Sequence, residues 1–472
     1  RVAVLVAGAI CIGLCLFGIR GRMGYNPIKV SQAYYCEDPF LNQLGVNPVF
    51  NLLTSTLDDN RKENRTLHLM SEEDALSKVQ KYLHRQGIDR LSPIARKVER
   101  EGTPNRRNVV LVFMESMSAN LMGTFGSDKK LTPYLDSLYQ QSLSFSHFYS
   151  SGIHTNHGIY STLYSFPAIM KRNAMKGSVI PVYSGLPTVL QENGYCNLFF
   201  MTHESQYDNM NAFLRTNGFD EIYAQENYPS EKVVNSFGVQ DDFMYQYALP
   251  ILNERAGTGN PFFSVLLSIS NHPPYVIPPY FHPHSDVLEE QIVEYADWSI
   301  RQFMQAAEKQ PWFDNTIFVF LGDHGKMVGT PECEMPQSYN HIPLMIYGKD
   351  IKPGVYDGFG GQVDVSPTLL GLLNISYLQN NFGVNLLEEE RPCMFFTADN
   401  LIGARDSVNM FIYSPDSQQE FKYKLEEGKL RAATGTDEEA FRNLKDYCFS
   451  MLQSTESLVK EHKTLDKVSV KK

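Results

Sequence analysis

Two carboxylates and an imidazole stand where apolar runs end. Glu115 comes directly after VVLVFM, and Asp323 with His324 comes directly after IFVFLG. If both runs are strands, their ends bring these groups to one rim, and oxygen and nitrogen donors without thiolate suit a hard or borderline divalent ion such as Mn²⁺, Mg²⁺ or Zn²⁺. Taken singly, each has a plainer explanation: Glu115 as a helix cap, Asp323-His324-Gly325 as a polar turn. A third element lies between them in sequence, SSGIHTNHGIYSTLYS, in which the hydroxyl of Thr155 is flanked by His154, Asn156 and His157. The stretch from Asn156 to Ser165 reads as the start of a helix, which places Thr155 near an N-terminus, where backbone N–H groups favour negative charge. An ordinary N-cap threonine fits the same position. Ligated to a metal, that hydroxyl becomes an alkoxide-like nucleophile able to attack phosphorus.

The elements that must position these groups begin after residue 107. Short apolar runs (VVLVFME, NLFF, FFSVLLSIS, IFVFLGD, PLMIYG, VSPTLLGLL) are interleaved with helical periodicity such as PYLDSLYQQSL and IVEYADWSIRQFMQAAEK. Continuous apolar strands between helices predict an α/β fold with a mostly parallel central sheet buried on both faces. Ligands bind such sheets beyond the carboxyl ends of the strands, where Glu115 and Asp323 fall. From residue 394 onward, MFFTADN, VNMFIYS and FKYKLEEGKLRAA predict short strands with a hairpin, followed by a terminal helix and a frayed basic tail, a small C-terminal β+α appendage.

The 472 residues carry 42 Lys+Arg against 53 Asp+Glu, a formal charge of −11, which excludes a basic nucleic-acid binder. With 43% hydrophobic and 12% aromatic residues the chain is neither disordered nor fibrous. Seven cysteines without CxxC spacing support neither a disulfide framework nor a zinc ribbon. Val2 to Ile19 contains no charge and is long enough to cross a bilayer core of about 30 Å, and it exceeds the usual apolar core of a signal peptide. The first residue is Arg, so the expectation is a fragment whose upstream sequence is missing, the number of any spans there being left open. Read locally, Arg20, Arg22 and Lys29 favour a cytoplasmic trailing side. The expected organisation is a transmembrane helix over 1–22, a membrane-proximal linker over 23–106 with one helix opened by Ser71 and Asp74, a catalytic domain over 107–393, and the appendage over 394–472.

The ordered blocks NVVLVFMES, LTPYLDSLYQQSLSFSHFYSSGIHTNHG, SISNHPPY, FLGDHG, NHIPLMIYG and QVDVSPTLLGLL resemble the extracytoplasmic domain of lipoteichoic acid synthases and related phosphoglycerol transferases, of the alkaline phosphatase/sulfatase superfamily. The resemblance covers roughly 107 to 390. It implies metal ligands at Glu115, Thr155, Asp323 and His324, with Thr155 also the nucleophile and Mn²⁺ the ion. His272, in SNHPPY, falls at the histidine that contacts the phosphoglycerol group and serves in proton transfer. His203 falls at another substrate-side histidine. The family carries a Trp and an Arg shortly after that histidine, and this chain has Tyr207, Asp208, Asn209 and Met210 there, which removes a bidentate phosphate clamp and leaves Asn209 as the substrate-side position. His341, before PLMIYG, is a substrate contact, a supporting group or a ligand to another ion.

What the resemblance implies is a membrane-anchored phosphotransferase with its catalytic domain outside the cytoplasm. A phospholipid is the donor and a glycan or glycerophosphate chain the acceptor, through a Thr155 phosphoester. Three rivals stand beside it. A sulfatase needs Cys or Ser in a C/S-x-P-x-R pattern, where this chain has IHTNHGIYS. A phosphoethanolamine transferase shares Thr and metal but usually carries more cysteines. An inactive envelope scaffold would have no need to keep Glu115, Thr155, Asp323 and His324 together.

Overall fold

A computed structural model describes residues 1–467 apart from 24–26, 37, 38, 60, 62, 63, 65, 89, 90, 178, 179, 427, 428 and 434–437. The eight strands of the main sheet are β1 (Asn108–Met114), β2 (Leu143–Tyr149), β3 (Cys196–Met201), β4 (Glu221–Tyr223), β5 (Phe262–Leu267), β6 (Thr316–Gly322), β7 (Leu344–Tyr347) and β8 (Gly354–Gly361), in the spatial order β8-β2-β7-β6-β1-β5-β3-β4. All pair in parallel except β7, which runs against both β6 and β2. β1 at the centre is buried along its whole length. Because successive side chains of a strand point to opposite faces, Val109, Leu111 and Phe113 feed the core on one side while Val110, Val112 and Met114 feed the other. β6 divides its residues in the same way, with Ile317, Val319 and Leu321 against Phe318 and Phe320. Truncating one of these aromatics, as in Phe320→Ala, removes about 3–5 kcal/mol of stability.

The predicted parallel α/β architecture is therefore present, with corrections at its edges. PLMIYG forms the one antiparallel strand of the main sheet, and VSPTLLGLL forms a helix, Val365–Leu372. β8, GVYDGFGG, went unpredicted because four glycines mask its strand character; pairing with β2 holds it at the sheet edge. The C-terminal appendage is a five-stranded antiparallel sheet beginning with Met394–Thr397 and Ile402–Arg405, covered by the helix Glu438–Lys460. The tail beyond it is pinned as far as Asp466, whose backbone N–H donates to Ser184 Oγ (2.9 Å), while Thr464 Oγ1 donates to the Val182 carbonyl (2.6 Å); residues 468–472 lie outside the described residues.

The N-terminal part contains one helix long and apolar enough to cross a membrane, α1 (Val2–Arg20), with every residue but Arg20 exposed and a length of about 28 Å. The helix Glu72–Tyr82 starts at Ser71, whose side chain accepts the Asp74 N–H at 3.2 Å. It is built into the body: Lys78 pairs with Asp446 of the C-terminal helix at 3.0 Å, and Val79 joins the core.

Candidate active site

β1, β2, β3, β5 and β6 all run in one direction, so their carboxyl ends lie at one edge of the sheet. Each contributes a polar residue there: Glu115 after β1, Thr155 after β2, His203 after β3, His272 after β5, and Asp323 with His324 after β6. Ligand atoms of Glu115, Asp323 and His324 lie within 4.8 Å of one another, and both carboxylates are buried. Thr155 Oγ1 sits 3.5 Å from Glu115 Oε2. Sequence spacing alone does not produce this convergence; the parallel register does.

Thr155 is the first residue of the helix Thr155–Tyr164, preceded by an extended His154 whose side chain makes no cap bond. The N-cap explanation for Thr155 is thereby set aside, since its hydroxyl faces a carboxylate. Gly158 explains how the helix comes so near: a Cβ there would lie 2.2 Å from the Asp323 carbonyl oxygen. Gln362 stitches the two elements together, its Nε2 donating to the Asp323 carbonyl (2.7 Å) and its Oε1 accepting from the Ser151 N–H (3.0 Å). His154 is held from the C-terminal appendage by Asp399, at 2.6 Å.

The carboxylates are oriented by short, local bonds. Asp323 Oδ1 accepts the N–H groups of Ser116 (2.8 Å) and His324 (2.7 Å), the first of these presented by a left-handed turn with Ser116 at φ 51°. Ser116 Oγ donates to Glu115 Oε1 at 2.7 Å, and Ser268 Oγ receives the Glu115 N–H at 3.0 Å. Asp323 Oδ2 is buried and accepts no hydrogen bond. Burial and then the neighbouring Asp323 charge hold the Glu115 carboxyl well above the usual carboxylate range. Two buried carboxylates face to face, one oxygen of them accepting no hydrogen bond, are a poor arrangement for a metal-free protein and a good one for a divalent cation.

The three histidines of the rim share one device. Nδ1 of His324, His272 and His203 lies 2.8, 2.6 and 3.0 Å from the carbonyl oxygen of the next residue, Gly325, Pro273 and Glu204 in turn. A carbonyl only accepts, so Nδ1 carries the proton and Nε2 keeps its lone pair. For His324 that nitrogen lies 3.5 Å from Asp323 Oδ2 and 3.8 Å from Glu115 Oε1, as a metal ligand requires. His203 Nε2 is buried without a partner. Burial lowers His203 to about 4 and lowers His272 as well. His203 (4.7 Å to Tyr207) and His272 (4.2 Å to Phe237) are joined through the Tyr207–Phe237 contact into one aromatic wall.

The other sequence candidates are used differently. Asn209, left-handed at φ 70°, spends its amide on the Met175 carbonyl at 2.8 Å. His341 lies against the Ser146 carbonyl at 2.9 Å and stacks on Tyr149, and burial lowers its pKa to about 4. Neither is among the carboxylate partners. Sequence reasoning passed over Asn271, whose Nδ2 donates to the Glu115 and Ser116 carbonyls (3.2 Å each) and whose Oδ1 accepts from Lys326 Nζ at 2.6 Å. It also passed over Asp208, which joins Asn156 Nδ2 (3.1 Å) to Lys176 Nζ (3.3 Å) beside Thr155. The only signal for either was adjacency to His272 or Asn209.

Comparison with known proteins identifies the family and the fold. The Sulfatase family profile matches residues 107–375, more than half of the chain. The chain is 25% identical over 362 residues to a lipoteichoic acid synthase-like protein of Bacillus subtilis, covering 70% of this chain and 56% of that one. It is 24% identical over 400 residues to the lipoteichoic acid synthase of Staphylococcus aureus, covering 75% and 58%. The chain thus spans about half the length of the curated relatives it matches. Among solved structures, a Vibrio parahaemolyticus protein of the alkaline phosphatase superfamily superposes with a TM-score of 0.75 at 25% identity, covering 84% of this chain and 97% of its own. Lipoteichoic acid synthase LtaP of Listeria monocytogenes superposes at 0.65 with 22% identity, covering 82% and 98%, which shows the shared fold. The likeness to lipoteichoic acid synthases seen in the sequence blocks is borne out, and by profile, fold and strand-end constellation together the chain belongs to the sulfatase family.

Proposed function

We propose that the chain is a membrane-anchored, metal-dependent phosphotransferase, with its catalytic domain outside the cytoplasm. It moves a phosphoglycerol-type group from a phospholipid to a glycan or glycerophosphate acceptor through a Thr155 phosphoester. The observation that carries this reading is the placement of the Thr155 hydroxyl 3.5 Å from Glu115, at a rim where Asp323 and the Nε2 of His324 converge. Support for the substrate class comes from the likeness to lipoteichoic acid synthases. Support for the export of the catalytic domain is that Arg22 is paired with Glu204 and so counts less as an orienting charge.

Glu115, Asp323 and His324 would hold the ion together with Thr155, and Mn²⁺ is the ion we assign. Bound there, a divalent ion lowers the pKa of the Thr155 hydroxyl and offsets charge on the transferring phosphorus. Thr155 Oγ, having given up its proton, forms the new bond to phosphorus while the bond from phosphorus to the lipid alcohol breaks. His272, on the rim with its Nε2 lone pair open, takes up the proton that the Thr155 hydroxyl releases and passes it to the departing lipid oxygen. In the second half the acceptor hydroxyl loses its proton to His272 Nε2 and displaces Thr155 from phosphorus. His203 and Tyr207 form the wall against which the head group rests. Threonine, where a sulfatase carries Cys or Ser, favours phosphoryl over sulfuryl transfer.

The test is intact mass of the protein after incubation with phosphatidylglycerol and Mn²⁺, beside Thr155→Ala and beside phosphatidylethanolamine. One added phosphoglycerol on the wild type alone is the expected result. A phosphoethanolamine adduct transfers the chain to that class of enzyme, and no adduct with either lipid overturns the reading.

A further inference from the structure

The exposed apolar side chains of this protein are unevenly distributed. Beyond residue 57 the large ones are few and scattered along the chain, as at Val182, Val234 and Val408, with Val287 and Leu288 the one adjacent pair among the described residues, which is ordinary for a protein surface. Between α1 and residue 57 they are concentrated, and on the helix Pro48–Asp59 they form a stripe: Val49, Leu52, Leu53 and Leu57 are 65%, 66%, 60% and 69% exposed. Spacings of three and four put these on one face.

Two hydroxyls of that helix bond its own backbone. Thr56 Oγ1 and Ser55 Oγ both donate to the Leu52 carbonyl (2.7 and 3.1 Å), and Asn47 Oδ1 accepts the first free N–H groups, from Val49 and Phe50.

The segment before this helix is fastened to α1 and to the rim of the site. Ile28 N–H donates to the Arg20 carbonyl at 2.9 Å, which folds the chain back on the end of α1. Arg22 then pairs with Glu204 at 2.5 Å, Lys29 N–H donates to Gln206 Oε1 at 3.1 Å, and Asn211 Nδ2 donates to the carbonyls of Ser31 and Tyr34. Glu204 to Asn211 is the loop that follows His203 and carries Tyr207. Asn42 continues the connection by accepting the N–H groups of Tyr35 and Cys36. Two exposed cations stand at the same edge, Lys29 over the Tyr207 ring and Lys176 beside Asp208.

We infer that the helix Pro48–Asp59 lies in the surface of a phospholipid bilayer, and that with α1 it forms a two-point seat holding the His203–Tyr207 edge of the site at the level of the lipid head groups. The bilayer is the occupant because the stripe is continuous along the chain with a helix long enough to cross it, and because Lys29 supplies charge complementary to lipid phosphate. This rests on the membrane-anchored part of the function proposed above, and not on which lipid is the donor.

The test uses the full chain in phosphatidylcholine vesicles, with and without brominated acyl chains. The emission added by Leu53→Trp is expected to drop about two-fold or more in brominated vesicles, and that added by Val408→Trp to stay unchanged. Unquenched Leu53→Trp overturns the inference, including the case in which the stripe is covered by a second copy. Val49→Glu with Leu53→Glu, on a solvent-facing stripe, is expected to lower turnover of vesicle lipid about ten-fold while sparing a water-soluble phosphodiester; equal turnover of both by variant and wild type also overturns it. If Leu53→Trp is quenched while the wild type transfers nothing from any lipid, the seat stands and the proposed function fails.

Discussion

Two of the buried charge clusters among the described residues, one around Arg391 and one around Glu115 and Asp323, are built on opposite principles. Around Arg391 every group is answered. Asp364 Oδ2 accepts from Arg391 Nε (2.7 Å) and the Gly361 N–H (3.0 Å), and Oδ1 accepts from an Arg391 terminal nitrogen (2.6 Å) and the Val384 N–H (2.9 Å). The remaining guanidinium donors reach the Phe382 carbonyl (2.5 Å) and Tyr447 Oη (3.2 Å). Around Glu115 and Asp323 two like charges face each other, one oxygen accepts no hydrogen bond, and His324 Nε2 points its lone pair at both. A closed cluster holds a fold together; an open cluster of like charge destabilises one and is kept for what it binds.

The largest effect that would sharpen this contrast is on chemistry. Thr155→Ala is expected to lower the rate about 10⁴-fold or more with no change in melting temperature, measured by steady-state turnover and calorimetry; a fully active variant would remove the nucleophile from the account. Next comes Arg391→Met, which leaves Asp364 buried without its cation. It is expected to cost about 3–5 kcal/mol in urea unfolding while the folded fraction binds Mn²⁺ as before.

Asp323→Asn is expected to do the reverse, weakening Mn²⁺ by about 100-fold in a calorimetric titration. In metal-free buffer the same change raises stability, because it relieves the repulsion that lifts Glu115. The smallest effect is a pH slope. With its pKa raised from 4.5, Glu115 keeps a proton in the folded chain that the unfolded chain releases. The Glu115 contribution to metal-free stability is therefore greatest below pH 4.5 and falls as pH rises above it. Urea midpoints in a chelating buffer should show this fall and Glu115→Gln should flatten it; a wild-type midpoint that climbs over the same range would break the comparison.

The open cluster was the more legible of the two in the sequence, because each of its members ends an apolar run or opens a helix. Glu115, Asp323 and His324 are marked by VVLVFM and IFVFLG, and the parallel order that joins them follows from strands buried on both faces. Arg391 and Asp364 carry no such mark, since their pairing depends on a loop closing over Val365–Leu372. β8 was hidden by its glycines, and the antiparallel sense of β7 by a run that reads the same in either direction. Asn209 was placed in the site by its neighbours, and its amide bond to the Met175 carbonyl, 34 residues earlier in the chain, carried no mark in the sequence. The stripe of Pro48–Asp59 was overlooked as part of a connector because its apolar residues have no buried counterpart to face.

The most direct measurement is Mn²⁺ content per chain after equilibrium dialysis, for wild type, Asp323→Asn and Arg391→Met. One ion in the wild type and in Arg391→Met, with none in Asp323→Asn, is the predicted result. Equal metal in the wild type and Asp323→Asn would contradict the assignment of the open cluster as the metal site.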